Sequence, residues 1–250
     1  MFGFAPEILA VMVMSIFVGG IVKGITGVAL PVVTMVIVVN FVEPHQALAL
    51  IVLSVVVTNV WQAFRTGSDW RPIKRFWPLL VPFVIGLYLG SLIVADTDPA
   101  TMFLCMGIAT LVFTVSELWK PRPRPLSFLA ERILGPIAGI LGGLLGGIST
   151  IWGPPIMMFM FMLHLPKDEW VRTIAIIWLA GAIPLVAFYI ANGVLNAETA
   201  PISAAACIPA MLGILVGERL RGLINEQLFR KMLLIALFLV ALNLIRRGIF

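Results

Sequence analysis

Charge is scarce in this sequence, and so are the residues that build chemistry in water: 12% of residues are charged, and there are two cysteines and two histidines. Cys105 and Cys207 each stand alone in an apolar stretch, without the CxxC or Cys/His spacing of a zinc site, and read as packing residues. His45 and His164, beside Pro44 and Pro166, have no second ligand near them in the chain, so no metal is expected. No glycine-rich loop carries the Lys and Ser/Thr spacing of a P-loop, which excludes ATP as an energy source within the chain and leaves no cofactor implied. Missing too are ten-residue segments alternating apolar and polar, so a membrane β-barrel is excluded. Met1 to Glu7 lacks a basic n-region and no small-residue cleavage site follows the first apolar run, so no cleaved leader is expected.

What is abundant is apolar surface. At 61% apolar residues and a mean hydropathy of +1.09, the chain requires lipid as its solvent. Apolar runs lie at about 8–42, 46–64, 76–95, 99–118, 133–165, 170–191, 199–218 and 228–245, and most reach the roughly 20 residues a helix needs to cross a bilayer. The fold class is therefore all-α, a polytopic membrane protein whose bulk partner is the lipid bilayer. Of 17 Lys and Arg, 14 fall in four clusters beside these runs, so the net charge of +5 reports topology and no nucleic-acid surface.

The chain repeats itself. Pro82, Gly86 and Gly90 recur as Pro209, Gly213 and Gly217, 127 positions later, and Gly19, Gly20, Gly24 and Pro31 recur as Gly142, Gly143, Gly147 and Pro154, 123 positions later. Between the blocks lies Lys120-Pro-Arg-Pro-Arg-Pro125, an extended basic linker. The expected division is residues 1–119, a linker at 120–132, and 133–250.

Runs 8–42 and 133–165 are too long for one span and are interrupted by glycine. Each is either one kinked helix or a hairpin of two arms, each about 22 Å long, that enters and leaves on the same side. Charge decides: with hairpins only Arg246 and Arg247 fall outside, whereas single crossings put Lys167, Arg172, Arg219, Arg221, Arg230 and Lys231 there. The hairpins predict two inverted repeats, each a broken-helix hairpin plus three transmembrane helices, with both termini outside. That plan is common among transporters, in which such halves rock about a mid-depth site. The four glycines of the later spans are assigned to close helix packing.

Candidate chemistry gathers at the hairpin tips, Gly19 to Pro31 and Gly142 to Pro155, where Gly24, Gly27 and Gly147 permit reversal and Thr26, Ser149 or Thr150 can cap the returning helix. Free amides at those returning helix starts favour an anion. Lys23 is the one charged side chain well inside an apolar run; it either neutralises a small anionic substrate or exchanges a proton, or it reaches across to water. Ser54, Thr58 and Gln62, with Asn59 beside them, form a polar helical stripe that either lines a path or joins helices. Trp152 is either a pocket wall or filler, and Arg172 either a flank or an anion contact. Gly147-Ile148-Ser149 resembles a nucleophile turn, but Thr150 stands where its last glycine belongs, which weakens an intramembrane enzyme. A fixed anion channel with its filter at the tips is a further alternative, and a homodimer is one assembly open to the chain.

The glycine-rich stretch ending in proline in each half, the Arg65-Thr-Gly-Ser-Asp-Trp-Arg71 loop and the two P-x3-G-x3-G spans together resemble the TauE/SafE family of bacterial membrane permeases. The resemblance covers nearly the whole chain. It implies a secondary transporter that exports sulfite or organosulfonates across a bacterial inner membrane. Lys23, Ser149, Thr150 and Trp152 depart from the family's glycine runs.

Overall fold

The structure, a computed structural model, describes residues 6–65, 67, 71–118, 126–221, 223 and 225–249. Thr66 and Ser68–Trp70 of the Arg65–Arg71 loop, and residues 120–125 of the basic linker, lie outside the described residues. The described residues form helices and no strand, in the order α1 (Pro6–Thr26), α2 (Leu30–Val38), α3 (Pro44–Arg65), α4 (Arg71–Asp96), α5 (Pro99–Leu118), α6 (Phe128–Ser149), α7 (Gly153–Met162), α8 (Lys167–Ala191), α9 (Ala200–Leu220) and α10 (Glu226–Ile249). Among them seven are long and apolar enough to cross a membrane. The same order, a long helix, a break, a short helix and three more helices, occurs twice.

Each break is a hairpin. Gly19 of α1 faces Leu30 and Thr34 of α2, and Gly142 and Gly146 of α6 face Ile156 and Trp152 around α7, so each short helix runs back along the long one. The arms are unequal, contrary to the two equal ones expected. At 1.5 Å per residue, α1 and α6, of 21 and 22 residues, run about 31–33 Å, whereas α2 and α7, of 9 and 10, run about 14–15 Å. The reversal falls within the stretches marked by the sequence, toward their C-terminal ends. It occupies Gly27–Ala29 in the first hairpin and Thr150–Trp152 in the second, where Gly27 (φ 82°), Ala29 (φ 76°) and Thr150 (φ 62°) adopt left-handed backbone.

The upstream glycines serve packing instead. A β-carbon on Gly20 would lie 2.5 Å from the carbonyl of Ala210, and one on Gly24 2.5 Å from that of Ile214, so α1 and α9 touch backbone to backbone. The pair α4 and α6 meets in the same way, with Gly86 against Ile140 at 2.6 Å and Gly90 against Leu144 at 2.5 Å. Without a hydrophobic drive between helices in lipid, such close approach supplies the attraction. Contacts come in matched sets: α1 with α9 as α6 with α4, α3 with α9 as α8 with α4, while α3 meets α8 and α5 meets α10. Each tight pair therefore joins one helix from each half.

Hydrogen bonds define two faces. On one, His45 Nε2 pairs with the Val94 carbonyl (2.8 Å), Asn192 donates to Ser91 (2.9 Å), and Arg247 donates to the Val39 carbonyl (2.9 Å), beside the C-terminal end of α10. On the other, Arg65 pairs with Glu218, and Arg75 with Glu131 and Glu169.

Candidate functional site

A cavity of about 830 Å³ lies against the second of these faces, with Arg65, Glu218, Arg221 and His164 among its lining residues. The C-terminal turn of α1 and the first reversal, Lys23 through Ala29, form part of its wall, with Thr58, Trp61 and Gln62 of α3 beside them. Phe113, Met157, Met160 and Phe161 make the apolar wall. Deeper, a gap of about 30 Å³, room for roughly one water, lies between the two hairpin tips and is lined by Lys23, Ala29, Asn59, Thr150, Trp152 and Trp178.

Lys23 is 5% exposed and lines both spaces. Its Nζ donates to Thr58 Oγ1 at 3.1 Å and to Asn59 Oδ1. A buried ammonium requires acceptors or water around it. The polar stripe of α3 supplies two acceptors: consecutive residues place the hydroxyl and the amide on the face toward α1, and Thr58 and Asn59 are both buried.

Beyond the tips, Trp152 packs edge-on against Phe83 (5.9 Å) and Trp178 (6.1 Å), and Ile151, Trp152 and Ile156 are buried. Two rings of this cluster, Trp152 and Trp178, line the gap.

The turn hydroxyls do not cap the returning helices. Thr26 Oγ1 donates to Val22 (2.8 Å) and accepts from the Val28 amide (3.2 Å); Ser149 Oγ donates to Leu145 (2.7 Å) and accepts from the Ile151 amide (3.2 Å). The N-caps of α2 and α7 are Ala29 and Trp152, neither making a side-chain cap bond. Both hydroxyls tie off the end of the long arm because the reversal comes after them. Gly147, Ser149 and Arg172 line neither space, while Gly24, Thr26, Gly27, Thr58 and Gln62 line the cavity, and Thr150 and Trp152 the gap.

Two residues at the tips carry no signal in the sequence. Arg221 donates to the carbonyls of Ile25 (2.8 Å) and Gly24 (2.6 Å), and Tyr189 donates to that of Gly147 (2.8 Å). Their partners lie 196, 197 and 42 positions away, beyond the reach of any local pattern. Among the described residues no group of three or more His, Cys, Asp or Glu could hold a metal, and both cysteines are free.

No curated protein and no solved structure gave a match. The family model described as sulfite exporter TauE/SafE matches residues 12–244, nearly the whole chain. With its membrane-length helices and a buried lysine facing a cavity, the chain belongs to the sulfite exporter TauE/SafE family and is a multi-pass membrane transporter of that family, not an enzyme.

Proposed function

We propose that the chain is a secondary transporter that exports a small sulfur-containing anion, sulfite or an organosulfonate, by alternating access around Lys23. Residues 1–119 and 133–250 act as inverted halves joined by a basic cytoplasmic linker at 120–132, with both termini outside the bacterial inner membrane. The matched helix contacts of the two halves support inversion, and the basic side chains around the cavity support a cytoplasmic mouth.

The observation that carries the reading is one-sided access. A wide cavity from one face ends at the Lys23 ammonium, and the way on to the other face is narrowed to a gap beside Trp152. Such an arrangement is one state of a carrier. The anion meets Lys23, the Thr58 hydroxyl and the amides at the start of α2, and Trp152 with Thr150 closes above it.

The test is thermal stabilisation of the purified protein by sulfite, methanesulfonate, sulfate and acetate, followed by counterflow in proteoliposomes. A ligand that binds only the native state raises its apparent stability. Sulfite or methanesulfonate is expected to stabilise wild type and not Lys23→Ala, and to drive counterflow. Stabilisation without counterflow points to a channel, and equal response of Lys23→Ala removes the lysine from the site.

A further inference from the structure

A hairpin tip presents two helix ends at once, and they oppose each other electrostatically. The start of α2 carries unpaired amides and positive partial charge; the end of α1, four positions earlier, carries carbonyls and negative partial charge of about half an elementary unit. The end of α1 and the turn up to Ala29 line the cavity, and Pro31 and Val32 at the start of α2 line the gap. An anion approaching Lys23 would meet the carbonyl end as well as the amide end.

Arg221 changes that balance. Its Nε and Nη2 donate to the carbonyls of Ile25 and Gly24, in the last turn of α1, while the Lys23 carbonyl accepts from the Gly27 amide at 2.7 Å. A guanidinium fits this task because its fixed fork reaches two adjacent carbonyls and keeps its charge at any working pH. The neighbouring carboxylate does not quench it: Glu218, one turn earlier in α9, is engaged by Arg65 (3.3 Å) and by Trp61 Nε1 (3.3 Å). At the second tip the corresponding carbonyl, Gly147, is taken by the neutral hydroxyl of Tyr189. The two tips thus differ in the charge that meets their long-arm carbonyls.

We propose that Arg221 is a positioning residue for the anion site, converting the first tip from a self-cancelling dipole pair into a net positive cradle and thereby making it, and not the second, the tip that holds the anion's charge. The proposal rests on the anion reading of the Lys23 site and deepens it. Arg221 acts through the carbonyls of Gly24 and Ile25 and need not touch the ligand.

The experiment measures binding of sulfate and methanesulfonate, doubly and singly charged, to full-length wild type, Arg221→Gln and Lys23→Ala in detergent, with the unliganded melting temperature as a fold control. Glutamine keeps an N–H donor and removes the charge. Arg221→Gln is expected to weaken methanesulfonate about tenfold and sulfate more than that, since the electrostatic loss scales with ligand charge. A merely structural cap would weaken both by one factor, and equal loss, or no loss, overturns the proposal. If wild type binds neither anion, the anion reading itself has failed; if wild type binds both and only the Arg221 series is flat, that reading stands and this one falls.

Arg221→His keeps the proposal testable should Arg221→Gln not fold. Imidazole titrates near pH 6.5, so methanesulfonate affinity must fall across that range in Arg221→His relative to wild type, in which His164, Glu218, Arg65 and Lys23 face the same cavity and set the background. A variant profile parallel to that of wild type overturns the proposal.

Discussion

The side-chain amide of Asn59 donates to the main-chain carbonyl of Trp178 at 3.4 Å while its oxygen accepts from Lys23. One residue of α3 thus fixes the ammonium of α1 and ties it to α8, whose Trp178 lines the gap. Changing its charge at nearly constant size tests the site without emptying it, at the cost of the bond to Trp178. Asn59→Asp places a carboxylate beside Lys23, neutralising the positive charge an anion needs. Methanesulfonate binding is expected to weaken at least tenfold while the unliganded melting temperature stays within a few degrees of wild type; retained binding would exclude Lys23 as the charge that matters.

Tyr189 is fully buried and its hydroxyl is the side-chain partner of the Gly147 carbonyl. Tyr189→Phe keeps the ring and leaves that carbonyl without its donor, a loss of about 1–2 kcal/mol. A lower melting temperature with sulfite and methanesulfonate affinities unchanged is the expected pattern, in contrast to Arg221→Gln.

The glycine contacts predict a graded series. A β-carbon on Gly90 would meet the Leu144 carbonyl at 2.5 Å and the Gly147 Cα at 2.9 Å, both rigid backbone, whereas one on Gly153 would meet the Phe113 ring at 3.5 Å and the Met157 sulfur at 3.7 Å, both ordinary contacts with side chains. Gly90→Ala should destabilise by about 1–3 kcal/mol, as overpacking does, and Gly153→Ala by much less. Thermal unfolding in one detergent reads both, and equal effects would contradict the close α4–α6 approach.

Asp98 precedes α5 and accepts from the Thr101 amide (3.0 Å) and hydroxyl (2.7 Å); the amide bond leads in holding its carboxyl below the usual carboxylate range. A depressed folded value means the contribution to stability is complete above the unfolded value, about 3.9, and is lost as pH falls through the folded one. Relative to Asp98→Asn, wild type should hold an advantage at pH 6 that shrinks below about pH 4. A gap that widens in acid would reverse the sign and refute the assignment.

Much of this was legible because lipid makes the rules strict. Hydropathy placed the helices, and the side on which Arg65, Arg75 and Arg221 gather could be read from charge alone. Lys23 stood out because an ammonium in an apolar run has few acceptable explanations, and its acceptors Thr58 and Asn59 stood out because a polar stripe cannot face hydrocarbon. The stretch that reverses was legible, but not which of its residues make the turn. Glycine serves both a turn and a close helix contact, and Gly20, Gly24, Gly143 and Gly147 are used for contact, which left the turn to Gly27, Ala29 and Thr150. An alanine and a threonine with left-handed backbone have no sequence signature of their own. Arg221 was read as a charged flank because its partners, the carbonyls of Gly24 and Ile25, belong to the opposite end of the chain.

The backbone contact between α1 and α9 also sets an order of assembly. Gly20 and Gly24 wait for Gly213 and Gly217, so during synthesis the first helix enters the bilayer long before the helix that covers its small-residue face exists. Lys23 has Thr58 and Asn59 only 35 and 36 positions later, and can be sheltered early. Arg221 arrives at the C-cap of α9. The first tip is thus begun long before it is finished, and a nascent chain stalled before α9 would hold the lysine in place without its cradle.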